Sequence, residues 1–153
     1  MNPQRIERLL RIRQIGETEA TRELGERIAQ LNAAEAQREQ LETFQQEYLA
    51  ASMPQDPNTL KWLAGMRQKL REALEQQALR IQAAESQVET AREQWLEHHR
   101  DCMSLEKLLE RTRAEEQRHQ ARRQQVEQDM WATRQAFARE PESGERTVNW
   151  QES

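Results

Sequence analysis

A heptad frame, with positions spaced alternately three and four apart, can be laid without a skip from Leu60 to Phe137, and most of its positions are apolar. An unbroken heptad without proline predicts one long supercoiling helix. At about 1.5 Å per residue it would span on the order of 120 Å. The a and d positions of this frame form the seam along which such a helix packs. The a positions are Leu60, Arg67, Leu74, Ile81, Val88, Trp95, Cys102, Leu109, Glu116, Arg123, Met130 and Phe137. The d positions are Leu63, Leu70, Gln77, Ala84, Ala91, His98, Leu105, Thr112, His119, Val126 and Thr133. Such a helix cannot bury its seam alone and needs a second helix.

The composition excludes a layered globular core and favours helix. Hydrophobic residues make up 35% of the chain and charged residues 33%, which leaves too little apolar surface for a layered core. Ala, Glu, Gln, Leu and Arg, all good helix formers, are abundant. Disorder is the alternative for so polar a chain, and the sustained heptad argues against it.

Charge and cysteine content narrow the functional classes. The net charge is -4 with both signs mixed, so we expect no nucleic-acid partner. The single cysteine, Cys102, excludes an intramolecular disulfide and suits a reducing compartment. No apolar run approaches the ~20 residues of a membrane span. Met1 to Arg13 lacks the apolar block and cleavage site of a signal peptide. We therefore expect a cytoplasmic protein.

Residues 4 to 50 carry a weaker helical pattern. Its apolar seam residues are Ile6, Leu10, Ala20, Leu24, Leu31, Ala34, Leu41 and Tyr48. The same frame also holds Arg13, Glu17, Arg27, Arg38 and Gln45. Gly16 and Gly25 lie inside it, and each costs ~1 kcal/mol relative to alanine in a helix. We predict one helix here with an imperfect seam.

Two prolines separate the patterns and favour a hairpin. Pro54 and Pro57 interrupt the helix between about 51 and 58, and Asn58 or Thr59 is the expected N-cap of the second helix. A connection this short suits antiparallel helices, and the prolines disfavour the alternative of a straight parallel homodimer. The predicted fold is all-α. Two long helices, at about 4–50 and 59–139, form a single antiparallel coiled-coil hairpin over residues 1–140, with a disordered tail at 141–153.

Hairpin geometry leaves part of the second helix without a partner. If Tyr48 lies opposite Lys61, then residue i of the first helix faces roughly residue 109 minus i of the second. The first helix ends opposite about Leu105, so the second helix is expected to have a partner to about Leu109. The seam then changes character, because Thr112, Glu116, His119 and Arg123 are all polar or charged. Further on, an apolar stripe returns, made of Val126, Met130, Trp131 and Phe137. An uncovered stripe is a candidate binding surface; fraying or self-association is the alternative.

Arginines concentrate at the end of the hairpin that holds both termini. Residues 1–13 carry four arginines against one glutamate, and residues 111–139 carry seven against four acids. A solvated charged face is one explanation. The other is an acidic partner that binds there.

The sequence carries no enzymatic motif. Glycine-rich phosphate loops, nucleophile elbows and paired-cysteine motifs are absent. His98 and Cys102 have the i, i+4 spacing of metal ligands, but both lie on the seam, where core packing explains them. We predict no catalysis, no cofactor and no metal.

Two segments that flank the prolines carry matching stripes. QREQLETFQQEY (37–48) and MRQKLREALEQQ (66–77) each present residues spaced four, three and four apart. The stripe residues are Gln37, Leu41, Phe44, Tyr48, Met66, Leu70, Ala73 and Gln77. These segments resemble the FliJ family, the small coiled-coil component of the flagellar type III export apparatus, which has injectisome relatives. The run VETAREQWLEHHRDCMSLEKLLER (88–111) also resembles the family's second helix, and the resemblance covers roughly residues 4–140.

The family's stripe positions form a partner-binding surface, with an aromatic where Met66 stands and a histidine where Gln77 stands. Phe44, Met66 and Ala73 lie just off the predicted seam, so their exposure side by side would indicate a functional surface. Leu41, Tyr48, Leu70 and Gln77 fall on the predicted seam itself, where burial is the alternative.

The resemblance implies a fold similar to the coiled-coil stalk of rotary ATPases. It implies insertion into the hexameric export ATPase, promotion of its assembly, a link to the cytoplasmic domain of the export gate, and handling of export chaperones. The stripe residues are the implied gate contacts. Residues at the end with both termini are the expected ATPase contacts: Arg5, Arg8, Arg11, Arg13, Arg118, Arg122, Arg123, Val126 and Met130.

We therefore predict a non-catalytic stalk adaptor of flagellar export. It would be a monomer when free and peripheral on the cytoplasmic side of the inner membrane at the flagellar base. The alternatives are the equivalent injectisome protein and a self-associating structural coiled coil.

Overall fold

The chain forms two long helices that pack closely as an antiparallel coiled-coil hairpin, which confirms the predicted fold class. The computed structural model describes residues 2–50 and 55–146, with side chains through residue 139. Helix α1 spans Pro3–Ala50 and helix α2 spans Pro57–Arg146. The predicted turn at 51–58 lies partly outside the described residues, as does the predicted tail at 141–153. No helix in the described ranges combines the length and apolar character that crossing a membrane requires.

Both helices begin with the same pair, an Asx residue followed by proline. The Asn2 side chain accepts a hydrogen bond from the Gln4 N–H at 3.1 Å. The Asp56 carboxylate accepts bonds from the Asn58 N–H at 3.3 Å and the Thr59 hydroxyl at 3.1 Å. The N-cap of α2 is therefore Asp56, not Asn58 or Thr59 as predicted. Proline fits the first helical position because it lacks the N–H that would be unpaired there.

Helix α2 extends beyond its predicted end near residue 139. It continues through Pro141 to Arg146. A proline removes one backbone donor and strains the preceding turn, which kinks a helix without always stopping it.

The packed residues fall into two compact units. We call Leu9–Ser104 the loop-side unit, and Met1–Arg8 with Leu105–Ser153 the terminal unit. In the loop-side unit every buried α2 side chain occupies a predicted seam position: Leu63, Leu70, Gln77, Ile81, Val88, Ala91 and Cys102. Helix α1 contributes Ala20 there, which agrees with its predicted weaker seam. Ile6 and Leu109 are buried in the terminal unit.

Away from the loop, the helices pair five to seven residues further along α2 than predicted. Glu17 was placed opposite Arg92, but its Oε1 lies 2.9 Å from His99 Nδ1. A heptad pattern repeats every seven residues, so apolar spacing alone fits both registers. Polar contacts distinguish them: the Trp95 indole N–H donates to the Thr21 hydroxyl at 2.9 Å only in the observed register.

The cover of α2 in the terminal unit therefore reaches slightly further than the expected limit near Leu109. Glu7 forms an ion pair with Arg113, and Thr112 and Ala114 are half-buried. From Glu115 to Arg139 every side chain of α2 is exposed. The heptad continues through this segment without cover from α1.

Candidate partner-binding surfaces

A shallow groove lies between the helices of the loop-side unit and brings most of the predicted gate contacts together. Its lining residues are Gln37, Gln40, Leu41, Phe44, Ala73, Gln76, Gln77 and Arg80. Phe44 is 50% exposed. Ala73 and Leu41 are half-buried beside it. The arrangement follows from the spacing, because residues three and four apart lie on one face of each helix.

Two of the predicted contacts are internal. Leu70 is buried in the seam, and only 3% of Gln77 is exposed. The Gln77 amide donates to the Ala34 carbonyl oxygen at 2.7 Å and to Gln37 Oε1 at 3.2 Å. Its hydrogen-bonding capacity is therefore used between the helices. Gln77 shapes the floor of the groove and holds the exposed Gln37 side chain over it.

Tyr48 and Met66 lie on the loop side of the groove, and both are half-buried. The Tyr48 ring meets Trp62 edge to face, with centroids 6.1 Å apart and an interplanar angle of 65°. Arg67 Nη2 donates to the Tyr48 carbonyl oxygen at 3.0 Å. A guanidinium is favourable there because the last carbonyls of a helix lack intrahelical partners and carry partial negative charge. This contact ties the last turn of α1 to α2.

The predicted ATPase contacts belong mostly to the terminal unit. Val126 and Met130 are 56% and 53% exposed. Arg122 and Arg123 precede Val126 by four and three residues, so both are its neighbours on the helix surface. The result is an apolar stripe with arginine at its edges.

The remaining predicted ATPase contacts are divided between the units. Arg5, Arg8 and Arg118 are exposed in the terminal unit. Arg11 and Arg13 belong to the loop-side unit, where Arg13 Nη1 lies 3.9 Å from Asp101 Oδ2.

The sequence profile of the family described as flagellar FliJ protein matches residues 1–141. The chain belongs to the FliJ family. It is thus a component of flagellar or type III export, and the family is a non-catalytic part of that apparatus. No curated protein and no solved structure shows a significant match to the chain.

This FliJ-family chain also contains a polar cluster that the sequence did not reveal as a unit. Trp95 stacks on His99 with ring centroids 4.9 Å apart. His99 in turn contacts Glu17. Hydrogen bonds from His99 and then from the Cys102 side chain lower the pKa of the Glu17 carboxyl below its ordinary value, against the opposing effect of burial. The i, i+4 spacing of Trp95 and His99 was the only sequence signal for this cluster.

A close backbone approach completes the cluster. A Cβ at Gly16 would lie 3.0 Å from His98 Nδ1. A Cβ would therefore fit here only if the His98 ring moved by a few tenths of an ångström, whereas glycine fits directly but weakens the helix locally.

His98 and Cys102 have the spacing of metal ligands on one helix face. Within the described residues, no group of three or more His, Cys, Asp and Glu side chains is placed to hold a metal ion. Cys102 is instead packed in the seam with only 2% of its surface exposed, where it hydrogen-bonds to Glu17.

Proposed function

We propose that this chain is a stalk-like adaptor of flagellar export. It inserts into the hexameric export ATPase, promotes its assembly and activity, and links it to the cytoplasmic domain of the export gate and to export chaperones. One observation carries this proposal: the α2 heptad continues through residues 115–139 with every side chain exposed. A seam pattern that neither described helix covers suits a segment that a partner encloses.

The chemistry of this segment supports a ring with an acidic lining. The Val126 and Met130 side chains offer apolar contact area, and Arg122 and Arg123 border it. Arginine adds long-range attraction and forked hydrogen bonds to carboxylates. Arg5 and Arg8 in the same unit add to the positive charge.

The groove of the loop-side unit supports the second link, to the gate. Phe44 and Gln37 are exposed there, and Leu41, Ala73, Tyr48 and Met66 are half-buried around them. Leu70 and Gln77 act from beneath the surface, since both are buried. We propose that the adaptor is a monomer when free, works in the cytoplasm, and is peripheral to the inner membrane at the flagellar base.

Two other functions remain as candidates. An injectisome stalk protein would have the same architecture and differ in its ATPase. A self-associating coiled coil would use the exposed stripe of α2 to bind a second copy. Light scattering distinguishes the self-associating coiled coil from the adaptor, because the adaptor is expected to be a monomer and the self-associating coiled coil a dimer or larger.

The decisive experiment adds the chain to the purified flagellar export ATPase and to its injectisome counterpart. We expect the chain to raise both the hexamer fraction and the rate of ATP hydrolysis of the flagellar enzyme. A response of the injectisome enzyme alone would assign the chain to that system. No change in either enzyme would refute the stalk function.

A pair of variants tests the surface. Arg122→Gln with Arg123→Gln should reduce the stimulation several-fold, because it removes charge beside the exposed stripe. Arg71→Gln with Arg100→Gln removes the same charge from exposed positions of the loop-side unit and serves as the control. Equal effects of the two pairs would show that only net charge matters.

The gate link is tested by Phe44→Ala, which truncates an exposed side chain of the groove. We expect weaker binding to the gate's cytoplasmic domain with helicity unchanged. Leu70→Ala serves as the contrast, because that side chain is buried and its loss costs about 2–5 kcal/mol of folding free energy. Unchanged binding by Phe44→Ala would contradict the role of the groove.

A further inference from the structure

The groove of the loop-side unit is almost free of charge. Only Arg80 among its eight lining residues is charged, whereas charged residues make up 33% of the chain. The other lining residues are amides and apolar side chains. A complementary partner surface is therefore also uncharged and largely apolar, since burying an unpaired charge against it would be costly.

Trp62 lies on the same face of α2 as this surface. It precedes Met66 by four residues and Ala73 by eleven, which is three helical turns. Trp62 is 56% exposed, slightly more than Phe44 at 50%. Its edge-to-face contact with Tyr48 holds the ring while leaving most of its surface open.

Two of the charged groups near Trp62 are already engaged within the chain. The Arg67 guanidinium bonds to the Tyr48 carbonyl oxygen, and the Asp56 carboxylate caps α2. The indole is therefore a large, positioned and exposed apolar group at the loop end of the groove, on a helix face that carries Lys69 between Met66 and Ala73. Tryptophan in such settings contributes a large share of binding energy in protein interfaces.

We propose that Trp62 extends the groove surface by one turn toward the loop and is its anchor, entering an uncharged apolar pocket of the gate's cytoplasmic domain. This inference rests on the proposed link to the gate. It assigns the binding role to a residue outside the stripe that the family resemblance implies.

The test measures the affinity of the full chain for the gate's cytoplasmic domain by calorimetry. Trp62→Ala should weaken binding about ten-fold or more, as expected for an interface anchor. Its far-UV circular dichroism and unfolding midpoint should stay close to those of the parent, because the side chain is mostly exposed. Leu79→Ala is the matched control, since Leu79 is 67% exposed and lies about 120° around α2 from the groove face.

A second measurement separates contact from indirect effects. Binding should change the tryptophan emission of the parent chain, and Trp62→Phe should abolish that change. Trp131→Phe, in the terminal unit, should retain it. If the parent binds the gate domain but Trp62→Ala binds equally well, the anchor role is wrong and the gate link stands. If the parent does not bind the gate domain, both proposals fail.

Discussion

At the residue scale, Glu17 links the folding of the loop-side unit to pH. Its carboxylate accepts hydrogen bonds from His99 and Cys102, which lower its pKa below the ordinary value of 4.5. A carboxyl with a lowered folded-state pKa stabilises the fold above the unfolded-state pKa. That stabilisation is lost as pH falls through the lowered value, where the folded state takes up the proton as well.

We therefore predict that Glu17→Gln lowers the unfolding midpoint in urea at pH 7 and that the difference from the parent disappears in acid. The difference should shrink as the pH falls below about 4.5. Glu19→Gln changes an exposed neighbour on α1 and is the control. Its unfolding midpoint should differ little from that of the parent at any pH. A difference that persists unchanged in acid would contradict the carboxylate's role.

At the element scale, the glycines of the two helices have different environments. Gly16 is held against the His98 ring, whereas a Cβ at Gly25 or Gly65 would meet nothing within 4 Å. In open space, alanine gains helix stability over glycine without a steric cost.

Gly25→Ala and Gly65→Ala should each raise the free energy of unfolding by about 0.5–1 kcal/mol. Gly16→Ala should gain less, or lose stability, because the His98 ring must give way by a few tenths of an ångström. Chemical denaturation of the three variants measures this. An equal gain at all three positions would show that the His98 ring yields freely.

The heptad predicted the helices and the seam because burial follows spacing. Ile81, Val88 and Cys102 are buried where the repeat places them. The register away from the loop could not be predicted in the same way, since a shift of seven residues preserves every apolar match. The observed register brings Glu17 to His99 and Thr21 to Trp95, and these directional contacts depend on three-dimensional placement.

Only some of the groove residues could be predicted from the sequence, and the reason is physical. The resemblance identified its stripe residues, but four residues on a helix face can lie either on the seam or beside it. The structure buries Leu70 and Gln77 and exposes Phe44. Trp62 lay outside the stripe, and the contact that positions it, with Tyr48, joins two helices and depends on how they pair.

At the scale of the whole molecule, the two candidate surfaces differ in charge. The groove carries one charged lining residue, and the exposed α2 segment carries arginines around its apolar stripe. Attraction between exposed charges weakens as salt shortens the screening length, whereas apolar burial does not.

Raising ionic strength from about 0.1 M to about 0.5 M should therefore weaken ATPase binding roughly ten-fold and change gate binding less than about two-fold. Titrations of the full chain with each purified partner measure both. The Arg122→Gln, Arg123→Gln pair should bind the ATPase with a shallower salt dependence than the parent chain. Its salt dependence with the gate domain should equal that of the parent. Equal salt sensitivity for both partners would contradict this division.

The exposed segment of α2, residues 115–139, has a thermodynamic consequence of its own. This segment lacks the tertiary packing that supplies most of the stability of helices in proteins. Its amide protons should therefore exchange with solvent faster than those near Ile81 and Val88, where side chains are buried. Binding would then also order this segment as a helix, and the cost of that ordering would reduce the net free energy of association. Substitutions that favour or disfavour helix there would change the association constant without touching the partner.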